Sequence, residues 1–281
     1  MLQNTLLLGT GSYLLSRYMK KNSINSVTIY SEVHEPITTV SIILTTLNEE
    51  ESVEMTLQSL LNQSIIQQYP QHFEIILVDG GSIDRTVEIS TPYVDKIINI
   101  GKGKLTARHI GTENAAGNII VAVDADTYYP INWLNKMLSY YYDKNVIAVT
   151  GNKFFLDSKH EFFLSLDYSK LLRHHSTYHL YYNIRNTLGY NLYKIMSGTN
   201  SSYLKKLYYD VGGFDLTINQ QNTKEMVQEE EVDFYHKLSK LGKVIRDVNL
   251  PVFTSDRQRY RDFSCDKENL FCEDINNNIR F

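Results

Sequence analysis

Phe73-Glu-Ile-Ile-Leu-Val-Asp79-Gly-Gly-Ser-Ile-Asp-Arg-Thr86 is the stretch whose reading decides the fold. Its first half is a short aliphatic run of the kind found in a strand buried on both faces. Asp79 ends that run, Gly80-Gly-Ser82 supplies a turn, and Thr86 opens a helical pattern. Upstream, Val40-Ser-Ile-Ile-Leu-Thr-Thr-Leu47 has the same character. Asn48 then precedes Glu49, Glu50 and Glu51, acids suited to a first helical turn, and Val53, Leu57, Leu60 and Leu61 follow at helical spacing.

Downstream, a third strand is expected over Val94–Ile100, a helix over Lys104–Ala116 and a fourth strand over Asn118–Asp124. A helix over Pro130–Tyr142 and a fifth strand over Val146–Thr150 complete the series. Strands alternating with helices predict an α/β domain with a mainly parallel sheet and helices on both faces. The second half is less regular. Leu164, Tyr168, Leu171, His175, Tyr178 and Tyr182 fall on one helical face, Ser197–Ser202 and Gly212–Asp215 read as loops, and Glu229–Leu241 reads as a helix closed by Gly242. The chain divides into an arm over 1–38, a domain over 39–257 and a tail over 258–281; within the domain, 39–127 and 128–257 form two halves.

A net charge of −4 argues against a nucleic-acid partner. Two cysteines, Cys265 and Cys272, are too few for a disulfide framework and predict a reducing, cytoplasmic setting. Tyrosine is unusually frequent, 21 copies against 11 phenylalanines, so the rings either pack with a hydroxyl partner or line a surface. The apolar stretch from Leu6 to Leu15, closed by Arg17, Lys20 and Lys21, is too short to span a bilayer. Two readings stay open for it: a peripheral arm on a membrane surface, or a packed or frayed terminus. His174, His175 and His179 share a helical face, but without an acidic third ligand they are read as packing or solvated.

The chemistry lies in where the carboxylates fall. Asp79 ends the second strand, Asp124 ends the fourth, and Asp126 follows two residues later. Ligands of open parallel sheets bind beyond the carboxyl ends of the strands. Acids gathered on that edge are costly unless they meet a cation or hydrogen-bond a ligand. The Asp124-Ala125-Asp126 spacing suits Mg²⁺ or Mn²⁺, which take oxygen ligands and share their shell with phosphates.

These segments resemble family-2 glycosyltransferases of the GT-A fold, from Val40 to about Arg257. Five blocks occur in that family's order: Val40–Glu51, Ile76–Thr86, Gly103–Gly111 with Ala116-Gly117, Val123–Thr127, and Gly212–Asp215 followed by Gln228–Asp233. The resemblance implies a single GT-A domain with a Rossmann-like nucleotide-binding half and a smaller acceptor-binding half. It implies a nucleotide-sugar donor of UDP or GDP type and a glycan or lipid-linked acceptor. Asp79 is then expected at the nucleotide base, with Thr45 and Glu49 helping to form that pocket. Asp84 and Arg108 are expected near the base and diphosphate, Asp124 at the ribose and metal region, and Asp126 on the Mn²⁺ or Mg²⁺. Gly198 and Thr199 fall on the acceptor side. Glu231 takes the position of the catalytic base, where the family keeps Asp, with Glu230 the alternative one residue away. A carboxylate opposite the leaving group implies inversion.

Thr46-Leu47 departs from the family's Pro-x-Tyr, and Gln258-Arg-Tyr-Arg261 is followed by Asp262 instead of Trp, which favours single transfer over processive synthesis. Two competing readings are a nucleotidyltransferase and an inactive glycosyltransferase-like binding subunit. The first needs a basic, Gly-rich phosphate loop where Asn48–Glu51 stands; the second fits loss of Asp126 or of the late acids, which are present.

Overall fold

The computed structural model describes residues 39–101, 103–156, 196–216 and 224–255. The expected N-terminal arm, the aromatic helical face of 160–194 with its histidines, both cysteines and the C-terminal tail lie outside the described residues.

Strand β1 (Val40–Thr46) leads into helices α1 (Val53–Leu61) and α2 (Ser64–Gln68), then β2 (Phe73–Asp79), α3 (Thr86–Ser90) and β3 (Lys96–Asn99). Helix α4 (Lys104–Asn114), β4 (Ile119–Asp124), β5 (Thr127–Tyr128), α5 (Trp133–Ser139) and β6 (Val146–Leu156) follow. The last elements are β7 (Ser201–Leu204), α6 (Lys205–Asp210), α7 (Lys224–Ser239) and β8 (Lys243–Ser255). One sheet runs β3-β2-β1-β4-β7-β6-β8-β5. The pairs β2/β3, β1/β2, β1/β4 and β6/β8 are parallel, whereas β4/β7, β6/β7 and β5/β8 are antiparallel.

Both faces of β1 are covered, which is why its sequence is continuously apolar rather than alternating. Ile42 and Leu44 pack with Val53, Leu57 and Leu60 of α1 and with Trp133, Leu134 and Met137 of α5. Ile43, one residue out of phase, packs on the opposite face with Leu105 and Ala107 of α4, Tyr208 of α6, and Phe234 and Leu238 of α7. Each fully buried valine, leucine, isoleucine, phenylalanine or methionine among them contributes about 1.5–3 kcal/mol.

The expected parallel α/β core is present, with several revisions, among them that the helix expected over Glu229–Leu241 runs Lys224–Ser239 and the strand expected over Val146–Thr150 extends to Leu156. The helix expected from Pro130 begins at Trp133 and tightens into a 3₁₀ turn over Tyr140–Tyr142. The segment expected to be a loop through Ser202 becomes strand at Ser201, and β8 joins the sheet although nothing in the sequence marked it. β8 carries Pro251, and its pairing with β6 shifts register between Gly151 and Asn152; an irregular strand of this kind has no clean two-residue period.

The strand order fixes the site. The chain steps from β1 to β2 to β3 in one direction, then crosses to place β4 on the other side of β1. That reversal opens a crevice at the carboxyl ends of β1 and β4, where Thr45 and Asp124 stand opposite each other in register.

Candidate active site

Asp124 is the hub. Its carboxylate is buried and accepts from Lys104 Nζ at 2.8 Å, Thr199 Oγ1 at 2.6 Å and Thr45 Oγ1 at 3.1 Å. Arg108 Nη2 lies 3.6 Å from Oδ1, the oxygen that Thr45 also reaches. Burial opposes ionisation, but Lys104 and Arg108 outweigh it and hold the Asp124 carboxyl well below the usual carboxylate range. Behind it, the Tyr129 hydroxyl accepts from the Asp124 N–H and donates to the Thr199 carbonyl at 3.0 Å.

Arg108 reaches from α4 to α7. Its Nη1 donates to Glu231 Oε1 at 2.7 Å, and the Gly198 N–H donates to the same oxygen at 2.9 Å. Burial disfavours the guanidinium charge, but Glu231 and Asp124 together raise its pKa further. The loop carrying Gly198 and Thr199 is fixed by Asn200, whose Oδ1 accepts from Trp133 Nε1 at 2.8 Å and whose Nδ2 donates to the Asn152 and Leu250 carbonyls.

A second cluster joins the ends of β1 and β2. Asp79 accepts from the Gly81 and Ser82 N–H groups and from the Ser82 hydroxyl. Asn48 adopts φ 54°, a left-handed conformation that Asn tolerates, and its side chain accepts from the Ile83 N–H at 2.9 Å. Glu49 donates its N–H to Thr86 Oγ1, and Ser52 Oγ donates to its carboxylate. Asp84 accepts from the Thr86 and Glu50 N–H groups; burial acts against it, yet these bonds lower its pKa.

Asp126 is half-buried, and its Oδ1 accepts from Thr254 Oγ1 at 3.1 Å and from Thr127 Oγ1 at 3.3 Å. Among the described residues no group of three or more His, Cys, Asp or Glu gathers to cage a metal. The donors here are hard oxygens on one or two carboxylates, the set that suits Mg²⁺ or Mn²⁺ when phosphates complete the shell. The two late acids part company. Glu231 faces the hub, while Glu230 is buried, accepts from the Asp215 N–H at 2.7 Å, and leaves Oε2 without a hydrogen-bond partner among the described residues.

Thr45, Arg108, Asp124, Gly198, Thr199 and Glu231 thus form one connected network; Asp79 ends β2 in register with Thr46, and Glu49 and Asp84 follow in the loops after β1 and β2. Lys104 was not singled out by sequence, although it sits one helical turn before Arg108 on the same face, a spacing that brings both cations to one site. Asn200 and Thr254 carried no sequence signal, since their partners lie far away in the chain.

The sheet order and the crevice at its reversal are those of a mostly parallel α/β domain of the GT-A fold. The chain belongs to glycosyl transferase family 2, whose profile matches residues 41–212. An uncharacterized glycosyltransferase of Haemophilus influenzae is 32% identical over 125 residues, covering 42% of this chain and 48% of the relative. The poly-beta-1,6-N-acetyl-D-glucosamine synthase of Staphylococcus epidermidis is 30% identical over 150 residues, covering 48% and 33%. The chain therefore spans about half or less of the curated relatives it matches. A mannosyltransferase of Pyrobaculum calidifontis, solved with GDP-Man and Mn²⁺, shares the fold at TM-score 0.51 and 19% identity, covering 89% of this chain and 66% of that one.

Proposed function

We propose that this chain moves a sugar from a nucleotide-diphosphate sugar of UDP or GDP type to a hydroxyl of a glycan or lipid-linked acceptor, by metal-assisted single displacement with inversion. The observation that carries the reading is the hub itself. Asp124 at the end of β4 lies between Thr45 of β1 and the Glu231 network of α7, so groups suited to a donor and a carboxylate suited to a base share one crevice.

In this reading Asp79, Thr45, Glu49 and Asp84 form the nucleoside pocket, and Asp126 with Asp124 would hold the divalent ion. A bound Mn²⁺ or Mg²⁺ supplies charge to neutralise the departing diphosphate. Gly198 and Thr199 line the acceptor side. Glu231 takes the proton of the acceptor hydroxyl as its oxygen bonds to the anomeric carbon and the bond from that carbon to the diphosphate breaks. Attack from the face opposite the leaving group inverts the centre. The solved mannosyltransferase with GDP-Man and Mn²⁺, and relatives named for glycan synthesis, support this reading.

Among the described residues no helix is long and apolar enough to cross a membrane; a peripheral contact through the N-terminal arm remains part of the proposal. Calorimetric titration of UDP and of GDP, each with and without Mn²⁺, tests the donor reading. Binding of one nucleotide that requires the metal is expected. If neither binds in a metal-dependent way, the reading fails.

A further inference from the structure

We propose that Arg108 is a positioning residue that aims Glu231, and not a ligand of the donor diphosphate. The inference rests on the reading of Glu231 as the base.

Three observations carry it. First, Arg108 is only 3% exposed, so its guanidinium offers no open face to a ligand. Second, its two terminal nitrogens are committed to carboxylates: Nη1 to Glu231 Oε1 at 2.7 Å and Nη2 to Asp124 Oδ1 at 3.6 Å. Nε, buried and without a hydrogen-bond partner among the described residues, is the one guanidinium nitrogen not turned to a carboxylate. Third, Gly198 lies against the guanidinium so closely that a Cβ built there would fall 1.6 Å from Arg108 Cζ. The site keeps glycine at that position because an arginine fills the side-chain volume.

Their geometry has one consequence for Glu231. Oε1 takes two donors from different directions, Arg108 Nη1 and the Gly198 N–H, while its backbone carbonyl accepts from the Met196 N–H at 3.0 Å. Both ends of the residue are therefore fixed to the 196–198 segment and to α4. A rigid planar fork can bridge two carboxylates in this way, and a lysine cannot. Arg108 thereby links the acid at the end of β4 to the acid in α7, so that the orientation of the base is set from the donor side of the crevice.

The test uses the full chain with Arg108→Gln, Arg108→Lys, Gly198→Ala, Glu231→Gln and the double variant Arg108→Gln/Glu231→Gln. Two quantities are measured: the Kd of UDP and of GDP with Mn²⁺ by calorimetry, and kcat for nucleotide release from UDP-glucose, UDP-N-acetylglucosamine or GDP-mannose, whichever the wild-type protein turns over fastest. Expected are a nucleotide Kd within about threefold of wild type and a kcat lowered about 10²-fold in Arg108→Gln, the loss that misplacing a catalytic group by about 1 Å produces. Arg108→Lys should recover part of it. The double variant should be no slower than Glu231→Gln alone, because residues acting as one unit are not additive. Gly198→Ala keeps every charge while pushing the guanidinium off Glu231, and should reproduce the kcat loss even if Arg108→Gln does not fold. A Kd weakened tenfold or more at unchanged kcat, or losses that multiply in the double variant, would overturn the proposal and make Arg108 a donor ligand. Wild-type protein that binds neither nucleotide with Mn²⁺ overturns the glycosyl-transfer reading first, and this one with it.

Discussion

Thr254 and Asp126 stand 128 positions apart in the chain, yet the threonine hydroxyl donates to Asp126 Oδ1 at 3.1 Å. One residue on, the Ser255 N–H donates to the Asp126 carbonyl at 3.0 Å. The far end of β8 thus holds the second acid of the Asp-Ala-Asp segment in place from both its side chain and its backbone.

This contact makes the metal reading testable in two grades. Asp126→Ala should abolish Mn²⁺-dependent binding of UDP or GDP while the protein still unfolds cooperatively. Thr254→Val removes one hydrogen bond to a charged group, of order 1.5–3 kcal/mol, and should weaken that binding about tenfold. Calorimetry with and without Mn²⁺ measures both; unchanged metal-dependent affinity in Asp126→Ala would show that the ion sits elsewhere.

The two late acids should separate kinetically. Glu231→Gln should lose about 10²–10⁴ in kcat with nucleotide affinity retained. Glu230 points instead to the Asp215 N–H of the Gly212–Asp215 loop, so Glu230→Gln should be milder in kcat. Steady-state rates alongside nucleotide affinities decide, and the reverse ranking moves the base to Glu230.

Glu230 also predicts a pH signature. Burial raises its pKa, so over the interval between its ordinary and raised values the folded protein keeps a proton that the unfolded chain gives up. Its contribution to stability is complete at acid pH and is lost as pH rises through the raised value. Glu230→Gln stays neutral and should lack that decline. Thermal melts of both proteins across the acid-to-neutral range read it directly; parallel profiles would contradict it.

Asp124 behaves in the opposite sense. Burial works against its charge, but Lys104 and Arg108 lower its pKa far enough that it stays ionised when folded. Its stabilisation is therefore present above the ordinary aspartate value and is lost as pH falls toward the depressed one. Asp124→Asn leaves Lys104 and Arg108 short of a partner and should cost about 3–5 kcal/mol. A denaturant midpoint close to wild type would show that the hub is not structural.

Asn200 should matter to stability as much as any core residue. Its side chain hydrogen-bonds Trp133, Asn152 and Leu250, and alanine would leave those buried groups unpaired. Asn200→Ala should cost about 2–4 kcal/mol and lower turnover through the adjoining Gly198-Thr199 segment. Chemical denaturation and kcat check the two effects separately.

Local sequence determined the first half of this protein. β1, β2 and β4 are apolar runs that end in Thr46, Asp79 and Asp124, and the helices between them carry their own spacing. Strand type, parallel order and the placing of acids on one edge all follow from short-range pattern and the rule that crossovers return through helices. The second half is different. Ser201-Ser-Tyr-Leu204 is too short and polar to declare itself, and β8 is broken by Pro251 and a register shift, so each becomes strand only because a neighbour offers hydrogen bonds. The same holds within the site. The acids were visible as residues, but the Arg108–Glu231 pair spans 123 positions and the direction of each carboxylate depends on which donor reaches it. Sequence chose the groups; only the folded chain, by bringing distant donors within about 3 Å where burial makes an unpaired charge too costly to leave, decided their partners.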